Sequence, residues 1–173
     1  MIINIVGPCD AGKTTLAWRL SKNLGLPVYS IADFRACHES EIKAWYAIRE
    51  KIDLEEGIID STGLNHRLYE IVLKNKEYLR IKLQCSIEHA LKRAVPDEGT
   101  NFGMDFHTFV KRSVPAAQMI DADLVVDTDD LAEEEVVERA LSSLGIPVKD
   151  RKCEAVMRLI AQRERRLIKY ASS

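Results

Sequence analysis

Short apolar runs alternate along this chain with longer stretches in which apolar residues recur every three or four positions. The runs IINIV, GIID and DLVVD show no polar alternation, the pattern of strands covered on both faces. Strands are therefore predicted over Ile2–Val6, Pro27–Ile31, Gly57–Asp60, Leu79–Gln84 and Asp123–Asp127. The longer period predicts helices over Lys13–Leu24, roughly 38–52, Asn65–Lys76, Ile87–Ala94, His107–Gln118 and Leu131–Leu144, and in the tail from about 151. Ser86 and Asp130 stand where N-caps belong. Strand and helix in alternation predict an α/β fold with a parallel sheet flanked by helices.

One stretch breaks the rhythm. Val95–Asp105, VPDEGTNFGMD, is polar and carries a proline, two glycines and an asparagine. Loops of this length are usually functional, and closing over a bound ligand is the use expected here. A surface loop without a role is the plainer alternative. The expected organisation is one domain over 1–148, with a mobile lid at about 95–112, followed by a basic C-terminal helix over 149–173.

Composition narrows the class. At 173 residues, 46% hydrophobic and 30% charged, the chain can bury a full core. No apolar run approaches the roughly 20 residues that span a bilayer. No basic region precedes the first apolar stretch, so it does not read as a secretory signal, and a cytoplasmic protein without a membrane partner is expected. Cys9, Cys37, Cys85 and Cys153 are scattered and form no C-x-x-C pair, which points to reduced, packed thiols rather than zinc. The net charge of −2 is unevenly placed. Residues 149–173 hold eight Lys or Arg against three acids, so a basic tail follows an acidic body. Such a tail either docks on its own domain or contacts a phosphate backbone.

Chemistry begins at residue 7. In GPCDAGKTT, Gly7 and Gly12 bracket four residues and Lys13-Thr14 follows, directly after a predicted strand and ahead of a helical pattern. Glycines let a loop curl its N–H groups onto phosphate oxygens, and the helix start adds a positive dipole end. Gly7, Asp10, Ala11, Gly12, Lys13, Thr14 and Thr15 are therefore the expected nucleotide-binding residues. Lys13 is placed to reach the β- and γ-phosphates, and Thr14 to offer its hydroxyl to Mg²⁺. Asp60 closes a buried strand, so it emerges where ligands of open α/β sheets bind. It is either a metal-shell carboxylate or the cap of the next helix. Thr62 follows in a tight polar turn, and Asn65 or Arg67 is placed to face an acceptor.

Beyond the second strand, SIADFRA puts Asp33 and Arg35 at the same edge. An aspartate there can take a proton from an acceptor hydroxyl, and an arginine can grip a phosphate with its fork. A solvated ion pair is the bland alternative. Arg93 enters the predicted lid, and Lys111 and Arg112 leave it. Cations at both ends of a lid can neutralise a transferring phosphoryl group, or can simply snorkel at the surface.

These motifs together resemble the small P-loop kinases, the group that holds adenylate kinase, shikimate kinase and polynucleotide 5′-kinase. GPCDAGKTT resembles their phosphate loop, and ADLVVDT their last core strand. IIDSTGLN is similar to the D-x-T-N turn of the polynucleotide-kinase-like branch. The resemblance implies a five-stranded parallel sheet with a lid, ATP and Mg²⁺ as cofactors, Lys13, Asp33 and Arg93 as the catalytic set, and Arg35 as the acceptor grip. That branch spaces its base and its gripping arginine three apart, whereas Asp33 and Arg35 are two apart. A transfer enzyme with a nucleotide-like acceptor, favoured as a 5′-hydroxyl, follows from this reading. A monophosphate kinase and an ATPase module without a small acceptor are its rivals. An N-K-x-D base-reading motif, which a GTPase switch would want, does not occur.

Overall fold

The computed structural model describes residues 1–64, 66–93 and 106–145. Asn65, residues 95–105 of the lid expected at about 95–112 and the basic tail over 149–173 lie outside the described residues, and 106–112 are helical.

Five parallel strands form one sheet in the order β2-β3-β1-β4-β5. They are β1 (Ile2–Val6), β2 (Val28–Ser30), β3 (Gly57–Ser61), β4 (Tyr78–Gln84) and β5 (Leu124–Asp127). The helices among the described residues are α1 (Lys13–Leu24), α2 (Ile31–Cys37), α3 (Glu41–Leu54), α4 (His66–Val72), α5 (Ile87–Arg93), α6 (Phe106–Gln118) and α7 (Glu133–Ser143). This is the α/β, P-loop NTPase-type architecture that the sequence predicts. None of these helices is long and apolar enough to cross a membrane.

Alternation along β1 divides the core. Ile3 and Ile5 face Leu16, Leu20, Val137 and Leu141 of α1 and α7. Ile2 and Val6 face the other way, onto Trp45, Ile48 and Leu73 of α3 and its neighbours. All five residues of β1 and of β3 are buried, which is why neither strand alternates apolar with polar positions. The chain leaves β1 for α1 on one face and leaves β3 for α4 on the other. These two strands are neighbours, so a crevice opens at their carboxyl ends, the usual ligand position in open α/β sheets.

Three expectations need correction. The second strand ends at Ser30, and Ile31 begins helix α2. That helix is seven residues long and buries only Ile31, too little apolar periodicity to announce itself. Helix α3 starts at Glu41 rather than near 38, because the Ser40 hydroxyl accepts the Lys43 N–H and caps it there. Asp130 is not the cap of α7: the cap position belongs to Ala132, whose N–H donates to the Glu135 carboxylate at 2.8 Å. Ser86 does cap α5, its hydroxyl accepting the His89 N–H.

Candidate nucleotide site

The turn after β1 is shaped by steric necessity. A Cβ on Gly7 would stand 2.6 Å from the Leu83 carbonyl oxygen, so only glycine lets the loop leave the sheet beside β4. Gly12 (φ 88) sits in the left-handed region that favours glycine, and Asp10 (φ 58) is held there although it is not glycine. This curl carries the chain from strand to helix in six residues, Gly7 to Gly12. Lys13, 8% exposed, bends back over the loop and donates to the Pro8 carbonyl at 2.5 Å. Its charge therefore lies along the rim where phosphate would bind.

Thr14 and Asp60 meet at the centre of the crevice. The Thr14 hydroxyl donates to Asp60 Oδ2 at 2.7 Å. Sheet parity explains the meeting: Ile58 packs on the α1 face, so Asp60, two residues on, emerges on that face beside the first turn of α1. Asp60 is 4% exposed. A buried carboxylate paired with a hydroxyl offers hard oxygen donors, and Mg²⁺ is typically held by one or two carboxylates plus the substrate's phosphates. The donor set fits that ion. Both residues assigned to the metal from sequence are thus brought together.

Beside the loop lies a cavity of about 250 Å³. Asp10, Ala11, Gly12 and Thr15 form one wall; Arg93, Thr128 and the α7 side chains Glu133, Val136 and Val137 form the others. Arg93 is anchored here: its guanidinium donates to the Thr128 hydroxyl at 3.2 Å and to the Thr128 carbonyl. Thr128 is in turn tied to β4, its hydroxyl donating to the Gln84 carbonyl at 3.1 Å. Asp129 accepts the Ser86 N–H at 2.9 Å and pairs with His89, locking the turns after β4 and β5 together. Arg93 therefore borders the space beside the loop. Cys85 lies beneath this wall, and burial, with the Asp129 charge, raises its thiol to about 11 against the pull of Arg93 and Lys13. It is a neutral packing group at physiological pH.

The acceptor side is less assembled. Asp33 is exposed on α2, and Arg35 is two positions on, so the two do not share a helix face. The fork of Arg35 is closed on Glu41: Nη2 donates to Oε1 at 2.6 Å and Nε to Oε2. Trp45 Nε1 donates to the same carboxylate at 3.0 Å, so Glu41 is fixed from the core side. Thr62 is half-buried in the turn after β3, and Arg67 is exposed near the start of α4. Lys111 and Arg112 are exposed on α6, while Val110, Ser113 and Val114 of that helix are buried. Of the cations expected around the lid, only Arg93 is seen against the cavity. Sequence reasoning missed Thr128, Glu133, Val136 and Val137. The position of Thr128, directly after the last strand, was the available signal.

No family model matches the chain, and no curated protein is similar to it in sequence. Solved structures are similar in fold. A sugar kinase from Janibacter sp. HTCC2649 superposes with a TM-score of 0.65 at 17% identity, over 83% of this chain and 94% of that one. A gluconokinase from Sinorhizobium meliloti 1021 gives 0.63 at 14%, over 83% and 91%. A deoxyadenosine kinase from M. mycoides, with dATP bound, gives 0.59 at 18%, over 84% and 100%. The fold is that of the P-loop kinases. At these identities the likeness concerns the fold alone, and what the chain does rests on its own residues.

Proposed function

We propose that the protein is an ATP- and Mg²⁺-dependent kinase that passes the γ-phosphoryl group to a hydroxyl of a small acceptor. The observation that carries this reading is the Thr14–Asp60 bond, set directly beneath the phosphate loop and beside a nucleoside-sized cavity. Lys13 would exchange the Pro8 carbonyl for phosphate oxygens when a nucleotide enters, placing its charge where it builds up during transfer. Thr14 and Asp60 would hold Mg²⁺, which when bound neutralises the β- and γ-phosphate oxygens. Arg93 and Thr128 would form the nucleoside wall.

A hydroxyl acceptor is favoured over a phosphorylated one by the state of Arg35. Its charge is balanced by Glu41, so this pair offers no net attraction for a dianion. Asp33, exposed on α2, is the carboxylate proposed as general base, since an attacking hydroxyl must lose its proton. The names of the three structural neighbours denote a sugar, gluconate and a deoxynucleoside, all of which carry hydroxyls. Within this class a nucleoside-like 5′-hydroxyl is our preferred acceptor, on the similarity of IIDSTGLN to the polynucleotide-kinase turn. The eight cations of 149–173 are the reason to include nucleic acid among the candidates. A transfer screen with ATP labelled in the γ-position tests the proposal, using sugars, sugar acids, nucleosides, monophosphates and 5′-hydroxyl oligonucleotides. Product from a hydroxyl acceptor supports it; transfer only to monophosphates would refute the acceptor class.

A further inference from the structure

Helix α6 touches the phosphate site at two places that the loop motif does not account for. Ser113 is fully buried. Its hydroxyl donates to the Val110 carbonyl at 2.9 Å and accepts the Cys9 N–H at 3.2 Å, a contact between positions 104 apart. The third residue of the loop is thereby pinned from outside, its N–H turned to α6. Farther along the same helix and just past its end, Ala117 and Ile120 press on Gly63, three residues after Asp60. A Cβ on Gly63 would stand 2.5 Å from Ile120 Cδ1 and 3.9 Å from Ala117 Cα. The end of α6 is itself clamped: Lys82, 8% exposed, donates from Nζ to the Ile120 carbonyl at 2.7 Å and to the Gln118 carbonyl at 3.3 Å. One clamped element thus bears on both walls of the Thr14–Asp60 pair.

We propose that α6 braces the phosphate loop against the Asp60 turn, and that Ser113 is a positioning residue for nucleotide binding. The proposal rests on the reading that this loop binds a nucleoside triphosphate. A phosphate loop binds through several N–H groups at once, so any freedom in its first half must be frozen when the ligand arrives. Freezing it beforehand spares that cost. Without the Ser113 hydroxyl, the Cys9 N–H loses this contact with α6 and the loop gains alternatives.

The test compares Ser113→Ala, Ser113→Cys and Ile52→Ala in the full chain. Ile52 is buried in α3 beside Ile2, at the end of the sheet away from the loop, so its truncation lowers stability without loosening α6. ATP affinity is measured by calorimetry with Mg²⁺, and melting temperature in parallel. Ser113→Ala is expected to bind ATP about three- to tenfold more weakly, the size of one hydrogen bond. Ser113→Cys, with a weaker acceptor, should fall between it and the parent. Ile52→Ala should melt earlier and bind ATP as the parent does. Unchanged affinity in Ser113→Ala overturns the proposal, as does a loss in both alanine variants that follows their melting temperatures. A parent protein that fails to bind ATP would overturn the nucleotide reading itself.

Discussion

Thr14 Oγ1 donates to Asp60 Oδ2 at 2.7 Å, joining the first turn of α1 to the carboxyl end of β3 across 46 positions. A buried carboxylate is costly to keep unless its oxygens are satisfied, and the Thr14 hydroxyl satisfies Oδ2. In the account given above, the hydroxyl holds the place that a divalent ion and its phosphate ligands would take. Asp60→Asn keeps the shape and a hydrogen-bonding oxygen but removes the charge. Turnover of Asp60→Asn is expected to fall by about 10² or more, with the Mg²⁺ concentration needed for half-maximal rate shifted upward. Circular dichroism should stay that of the parent. A variant with parental turnover and parental Mg²⁺ dependence would remove Asp60 from the metal site.

The Arg35–Glu41 pair makes a second prediction, about acceptor choice. With Glu41→Gln the guanidinium keeps a hydrogen-bonding neighbour but loses its counter-charge. Binding of a phosphorylated acceptor such as a nucleoside monophosphate should then tighten by about tenfold, the worth of a hydrogen bond to a charged group. Equilibrium titration of parent and variant with the same monophosphate measures it. No gain for the anion would show that Glu41 does not set acceptor charge.

Much of this site is legible in the sequence, for reasons that differ by residue. The curl of residues 7–12 is legible because it is local: Gly7 and Gly12 act through the backbone of one turn. Asp60 could be placed because a buried parallel strand writes itself as a continuous apolar run, and its last residue must emerge at the carboxyl edge. Helix α2 was not legible, since a seven-residue helix with one buried side chain leaves no period to detect. From the sequence alone Arg35 is an acceptor grip at the sheet edge, whereas in the fold Glu41, at the start of another helix, occupies its fork. Ser113 left no signal either. A serine inside a helix looks unremarkable until the fold brings Cys9 to it.

Asp129 gives a prediction in pH. Burial works to raise its carboxyl pKa, but the Ser86 N–H and the His89 ring outweigh it and hold the group below the ordinary carboxylate range. A depressed pKa stabilises the fold above the unfolded-state value, about 3.9, and that contribution is lost as pH falls through the folded-state value. Urea unfolding of the parent and Asp129→Asn should therefore differ at pH 7, by about 1 kcal/mol. The gap should narrow as pH falls below about 4. A gap that widens on acidification would reverse the sign and contradict the assignment.

Delivery of the phosphoryl group to an acceptor rather than to water is what separates a kinase from an ATPase at this loop. It is tested most directly by incubating the protein with γ-labelled ATP, Mg²⁺ and the hydroxyl-bearing panel, and separating labelled product from labelled inorganic phosphate. Lys13→Ala is run beside it at matched folded concentration. Acceptor-dependent labelled product is expected, vanishing without Mg²⁺ and falling by orders of magnitude in Lys13→Ala, while the variant keeps its melting transition. Label appearing only as inorganic phosphate, at a rate indifferent to every acceptor, would contradict it.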